Sequence, residues 1–368
     1  MQSIDFDAKR WDSLKKNMRS WWDGTLKRPI ISATLGGRGT SRPKPSIPWH
    51  QAQSFYDISV PADIIVDWYE YNLEDTLFLG DSFPYVIPYF GPGSLAAHLG
   101  AYLYNEHSVP TVWFRPKVSQ ELQDIRLGKL DLDDPCLRRI LSVYRAAQSR
   151  FGGNVQLAMT DLGGALDVVS TFRPGETLLF DLYDNPEEIE RLAWEVHASW
   201  WECFDLIHAA SDKSPGYSAW ASIFSEDPYY MLQCDFCYMI GPDMFERFVL
   251  PELRASCKRL KNGFYHLDGP GQLPHLDHLL SIPELKGIQW VPGDGQPDVT
   301  KWPEVYRKIR KAGKLVQFFA GQSKYSWETI DVLADQLGSA EGLIMLGWGN
   351  VKGDEAKVMK LLSKYDCI

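Results

Sequence analysis

The stretch Gly263-Phe264-Tyr265-His266-Leu267-Asp268-Gly269-Pro270-Gly271 carries the residue types best suited to chemistry. It reads as a short strand that ends in a polar pair and then breaks on glycine. Side chains two apart on a strand share a face, so His266 and Asp268 project together, with Gly269 leaving room beside them. An imidazole beside a carboxylate can hold a metal ion or move a proton. A second reading stays open, in which Asp268 merely begins a turn and His266 is a hydrogen-bonded core histidine.

Other polar groups stand at further candidate strand ends. Asp81 follows Phe78-Leu79-Gly80, Asp235 and Cys237 lie in Gln233-Cys234-Asp235-Phe236-Cys237, Gln289 and Trp290 sit near the end of Gly287–Val291, and Trp348 lies in Leu346-Gly347-Trp348-Gly349. Cys234 and Cys237 are spaced like half a zinc site. On an extended strand, however, residues three apart face opposite sides, which parts the two thiols and puts Asp235 with Cys237. His266, Asp268, Asp235 and Cys237 can then form one cluster if their strands are neighbours. Strand-end cysteines also serve as small buried hydrophobes.

The elements that must position these groups alternate. Tyr217–Phe224 and Met231–Tyr238 read as extended, and Pro242 opens a helix that Pro251 kinks. Gly263–Leu267, Gly287–Val291, Lys314–Ala320 and Gly342–Leu346 then read as strands separated by single helices. Earlier come an amphipathic N-terminal helix carrying Trp11, Leu14, Met18, Trp21 and Trp22, and strands at Ile30–Leu35, Thr76–Leu79 and Val155–Thr160. Single helices between strands mean parallel β/α units. The predicted fold is therefore α/β, one (β/α)8 TIM-barrel domain over residues 1–368. A surplus ninth strand is one of Tyr217–Phe224 and Met231–Tyr238, and 36–62 and 84–120 are long loops over the C-terminal mouth. Barrels present working groups at that mouth.

The formal charge of −10 and pI near 5.3 argue against nucleic acid, because phosphate binding needs a dense positive surface. No apolar run is long enough for a membrane span, and the N-terminus lacks a basic start, so a cytoplasmic protein is expected. The six cysteines are irregularly spaced and expected reduced. Among 14 Trp, 17 Tyr and 17 Phe, many lie near predicted strand ends: Trp220, Phe224, Tyr229, Tyr230, Trp290, Phe318, Phe319 and Trp348. They either line a cleft or fill the core. Gly36-Gly37-Arg38-Gly39-Thr40 matches neither the Walker spacing nor the dinucleotide fingerprint and is expected to be a flexible lid, with Arg38 facing substrate. Gly91-Pro92-Gly93 and Asp161-Leu162-Gly163-Gly164 are expected to make tight turns, and His275 with His278 a solvated pair. A serine nucleophile elbow is absent.

Taken in order, Arg28-Pro29, Phe78-Leu79-Gly80-Asp81, Asp235, Ile240-Gly241-Pro242, Phe245, Pro251, His266-Leu267-Asp268-Gly269 and Leu346-Gly347-Trp348-Gly349 resemble the uroporphyrinogen decarboxylase-like superfamily of single barrels. Its methyltransferases move a methyl group from a corrinoid protein to coenzyme M. They hold zinc through a His-x-Cys-Gly strand end and a later Gly-Cys-Gly strand end. His266 matches the first ligand, while Asp268 and Trp348 stand where the cysteines are. With both cysteines replaced, His266 and Asp268 supply at most two of the three or four ligands that the family uses to hold a thiol as thiolate. In the decarboxylases a catalytic Asp follows the second strand, where Asp81 stands, but Trp348 replaces their histidine and only Arg38 and Arg42 represent their arginines.

The resemblance implies an enzyme. The leading expectation is methyl transfer in a corrinoid-linked demethylation pathway acting on a small methylated or polar compound. His266, Asp268 and Asp235 are then catalytic, zinc would sit on His266, Asp268 and Cys237, and Trp348, Gln289, Trp290, Trp220 and Arg38 would contact substrate. Partners would be a corrinoid protein and a second copy in a homodimer. The alternatives are a metal-free decarboxylase or lyase using Asp81 and Asp268 as acid and base, and a non-catalytic binding protein.

Overall fold

The computed structural model describes residues 4–47, 58–104 and 112–367. Its strands are β1 (Ile30–Gly36), β2 (Thr76–Gly80), β3 (Tyr85–Val86), β4 (Ala101–Tyr104), β5 (Trp113–Pro116), β6 (Gln156–Leu157), β7 (Tyr229–Leu232), β8 (Asn262–Asp268), β9 (Leu285–Val291), β10 (Leu315–Phe319) and β11 (Leu343–Asn350). The main sheet has the order β2-β1-β11-β10-β9-β8-β7. All its neighbours are parallel except β1 and β2. A separate parallel pair, β3 with β6, is prolonged by a bridge from Met159 to Ala219, and β4 with β5 forms an antiparallel hairpin. The chain is thus mixed α/β with a parallel-rich sheet. Among the described residues, the ladders do not join the β3–β6 pair to either edge of the main sheet.

Helices return the chain between the parallel strands, and their sequences explain where they lie. Helix Pro303–Lys311 starts on a proline whose missing N–H costs nothing there. It buries Val305, Tyr306 and Ile309 on one side, and ends in Lys308, Arg310 and Lys311, which complement the helix dipole. Each of those buried side chains contributes roughly 2 kcal/mol of apolar transfer. At the start of the strands, helix Ala8–Trp22 is capped by Asp7, whose side chain accepts from the Arg10 amide at 2.8 Å. Its Trp21 and Trp22 pack on Phe264 of β8 with ring centroids 6.1 and 5.8 Å apart. Phe264 shares a face with His266, so this helix lies toward the N-terminal end of that face.

Several expected elements differ. Tyr217–Phe224 is the surplus strand and makes only isolated bridges. Met231–Tyr238 is extended only to Leu232, after which Asp235–Met239 winds into a 3-10 turn. The cause is Asp167, whose carboxylate accepts the Phe236 amide at 2.8 Å and gives the turn a partner outside any ladder. Thr76–Leu79 belongs to β2, which runs antiparallel on the sheet edge, so the chain beyond it lies at the other end from the expected mouth. The predicted loop 84–120 holds β3, the short helix Leu95–His98 and the β4–β5 hairpin, while much of 36–62 falls outside the described residues. Among the described residues no helix is long and apolar enough to cross a membrane.

Candidate active site

Register brings the polar residues into line. His266 of β8 pairs with Gln289 of β9, which pairs with Gln317 of β10. Directly paired residues face the same side of a sheet, so the three form one transverse row. Gln233 continues it, since Leu232 of β7 pairs with Tyr265 and Gln233 follows by one residue. His266, Gln289 and Gln317 are hydrogen-bonded to one another as well. Gln289 Nε2 donates to Gln317 Oε1, which leaves Gln289 Oε1 as the atom that meets His266 Nδ1. Nδ1 must then carry the proton, and Nε2 is the free nitrogen of the neutral ring.

His266 Nε2 points along the strand toward Asp268, 3.8 Å from its Oδ2. The 3-10 turn after β7 adds Asp235, and one donor atom from each of Asp235, His266 and Asp268 lies within 4.8 Å of the others. The Trp220 ring meets the imidazole edge to face at 5.0 Å. Two more carboxylates stand close by. Asp161 is buried and accepts from the Gly163 amide at 2.9 Å and the Gly93 amide at 3.3 Å. Asp167, near the start of helix Ala165–Phe172, accepts from the Gly164 amide at 3.1 Å.

Carboxylates gathered at one place resist ionisation, because each charge disfavours the next. Burial, then Asp167, push Asp235 up to about 7, although His266 pulls the other way. Burial also lifts Asp161 to about 6 against the amides of Gly93 and Gly163. Asp167 is raised by burial despite the amides it accepts. Desolvation disfavours the His266 imidazolium, but Asp268, Asp235 and the Gln289 hydrogen bond outweigh it, so the histidine is raised overall. Asp235 remains open to the cleft while protein atoms crowd its carboxylate, which is how an accessible group keeps a shifted pKa.

Of the predicted site residues, the structure brings together His266, Asp268, Asp235, Gln289 and Trp220. Trp348 shares their face by register through Ile344 and Leu346, is 52% exposed, and rests against Phe319 with centroids 5.6 Å apart. Four others are elsewhere. Asp81 sits beside the start of β1, salt-bridged to Arg28 at 2.7 Å and accepting from Asn17 and the Ile31 amide. Arg38 bonds back to the Glu74 carbonyl and lies 3.7 Å from Asp5, while Asp75 accepts the amides of Gly37 and Gly39, so this loop is tied down rather than a lid. Trp290 alternates away from Gln289 and is fully buried against Trp302. Cys237 is fully buried with its sulfur 3.7 Å from Tyr265 Oη, on the other face of β8 from His266. The 3-10 turn also brings its thiol to Cys234, which a straight strand would have prevented.

Asp161, Asp167, Gln233 and Gln317 were not expected. Asp161 heads a run that reads as a plain turn, and Gly163, at φ +79°, does make one. Its side chain nonetheless lies close enough to His266 for their charges to interact. Gln317 carried a usable signal, a lone amide in an apolar strand where polar side chains need partners. The expected ring-lined cleft is smaller than foreseen, since Phe224, Tyr229, Tyr230 and Phe318 are core. His275 is likewise buried, bonded to the Cys237 carbonyl at 2.9 Å and stacked on Phe245. Beside the cluster lies a cavity of about 750 Å³ between the β5 strand, helix Ala165–Phe172 and the 3-10 turn.

No family model and no curated protein sequence matches the chain. Among solved structures, bee venom hyaluronidase in complex with a hyaluronic acid tetramer aligns at a TM-score of only 0.33, with 12% identity over 78% of this chain and 86% of that one. A methyltransferase from Methanosarcina mazei aligns over 96% of this chain and 97% of its own, with a TM-score of 0.62 and 12% identity. At that identity the likeness is one of fold: this chain has the fold of that methyltransferase chain.

Proposed function

We propose that the protein is a methyltransferase-type enzyme built on a (β/α)8 barrel, with a divalent metal held by Asp235, His266 and Asp268. The observation that carries this reading is the convergence of those three side chains at strand ends, within a fold shared with a methyltransferase. The donor set fits a catalytic site: one imidazole and two carboxylates give three ligands and leave a position open. Such nitrogen and oxygen donors suit zinc and other borderline or hard divalent ions. Gln289 fixes the His266 tautomer so that Nε2 is the free donor, and Gln317 fixes Gln289. Thiolate ligands are not part of the set, because Cys237 faces away.

A bound metal would supply a Lewis acid that lowers the pKa of a thiol or water acceptor for attack on a methyl group. Trp220 keeps water from one side of the His266 ring. A corrinoid protein is the proposed methyl-carrying partner. Tyr238, Met239 and Trp348, exposed around this end, offer such a partner an apolar surface to cover. Elemental analysis and zinc titration of the purified protein test the reading: about one ion per chain is expected, with stoichiometric binding lost in His266→Ala. Wild type and variant that hold equal metal, or none, would sink it. Should no metal bind, the raised Asp235 favours the second reading, an acid–base lyase with Asp235 in place of the expected Asp81.

A further inference from the structure

The lining of the cavity beside the cluster holds two chemically different sets of side chains. One is Asp167, Asp235 and Gln233. Those three belong together structurally, because the Asp167 carboxylate accepts the turn amide of Phe236 and the Gln233 carbonyl packs against Gly164. Gln233 is 5% exposed, and its Oε1 has no hydrogen-bond partner among the described residues. A buried amide oxygen left empty costs free energy that a donor from a ligand would recover. This set therefore offers acceptors: one orphaned carbonyl and two carboxylates. Each Asp167 oxygen already takes a main-chain amide, which suits it to further hydrogen bonding rather than to direct metal ligation.

The other set is apolar. Trp113 and Phe114 come from β5, and Phe236 and Met239 from the 3-10 turn. Arg115 is the cation of the lining, and its guanidinium lies over the Tyr104 ring at 4.0 Å, on the other strand of the hairpin. A carboxylate ligand would therefore meet two carboxylates and an acceptor oxygen against one stacked arginine. We propose that this cavity binds a protonated organic amine with an apolar body, its N–H groups donated to Gln233 Oε1 and to the Asp167 and Asp235 carboxylates. A quaternary ammonium would leave Gln233 empty, so the class is an amine that keeps at least one N–H. The proposal deepens the reading above and rests on it for where the chemistry occurs, while the binding itself does not require the metal.

Calorimetric titration at pH 7.5 with benzylamine, benzyl alcohol and benzoate as probes tests this, on protein as purified and on protein treated with chelator. Benzylamine should bind at least about tenfold more tightly than the alcohol, the size of effect expected for hydrogen bonds to a charged group. Benzoate should bind weakest, and chelator should leave the order unchanged. Gln233→Leu keeps the side-chain bulk and lies outside the metal set, so it should keep wild-type metal content and lose about tenfold in benzylamine affinity. Equal affinity for amine and alcohol, preferred binding of benzoate, or an unaltered Gln233→Leu would each overturn the proposal. Metal content is measured on the same samples, so amine binding without metal refutes only the metal site, and metal without amine binding refutes only this inference.

Discussion

At the residue scale, the cluster is built to be short of cations. Asp161 and Asp235 hold protons more tightly in the folded chain than an ordinary carboxylate does, and His266 holds its proton more tightly than an ordinary imidazole. A group whose pKa is raised on folding adds stability below its unfolded value and loses that contribution as pH rises through its folded one. For the two aspartates that loss runs from about pH 4 to about 6 and 7, and His266 adds to it at higher pH. The chelator-treated protein should accordingly melt at a lower temperature at pH 8 than at pH 5, and Asp235→Asn should flatten that difference while removing one of the three proposed metal ligands. Melting curves of both proteins at the two pH values check it. A wild-type midpoint that rises from pH 5 to pH 8 would contradict the assigned shifts. A bound dication reverses the sign, because it stabilises the deprotonated forms, so its affinity should climb over the same range.

At the element scale, legibility in the sequence depended on whether an element's cause is local. β8 through β11 were readable from short apolar runs ended by glycine, and their helices from proline starts and buried faces. The pairing of His266 with Asp268 was readable from strand alternation alone. The 3-10 turn was not, because what bends Asp235–Met239 is a carboxylate 69 residues away in sequence. That long-range bond is also why Cys237 left the site and why Cys234 meets it. The antiparallel direction of β2 was equally hidden, since a five-residue apolar run carries no sign of its direction. Glycine at β9 is a further case of a local rule with a distant cause. A Cβ on Gly287 would lie 2.2 Å from the Phe264 ring and 2.7 Å from the Leu315 carbonyl oxygen. Phe264 and Gly287 face each other in register, two residues before His266 and Gln289. Gly287→Ala should therefore cost about 1–3 kcal/mol of stability, measured by denaturant unfolding, because neither the ring nor the carbonyl can yield cheaply. Unchanged stability would mean that β8 and β9 pack more loosely at Gly287 than a 2.2 Å approach to Phe264 allows.

At the scale of the whole molecule, the two ends of the parallel strands divide the work. Near the start of β1, Asp81 is 2% exposed as a side chain and Arg28 16%, and the pair gathers Asn17, the Ile31 amide and Cys367 around it. It thereby ties the N-terminal helix, β1, the end of β2 and the C-terminal segment to one point. At the other end, Trp348 is half exposed beside Phe319 and holds no buried position. Both residues were expected to serve the site, and their environments assign them opposite consequences. Asp81→Asn leaves a guanidinium largely buried without its counter-charge, a change of the kind that costs about 3 kcal/mol. It should lower the melting temperature by several degrees while the surviving folded protein keeps wild-type metal content and benzylamine affinity. Trp348→Ala removes little buried area, so the melting temperature should stay near wild type. Any ligand that reaches across the mouth should then lose roughly thirtyfold in affinity, as truncating an aromatic anchor typically does. Melting and calorimetric titration of the two variants side by side decide the matter. If Trp348→Ala melts early with ligand affinity intact, the tryptophan is a plug for the strand ends and not a wall for substrate, and the mouth must be redrawn around Trp220 and Phe319.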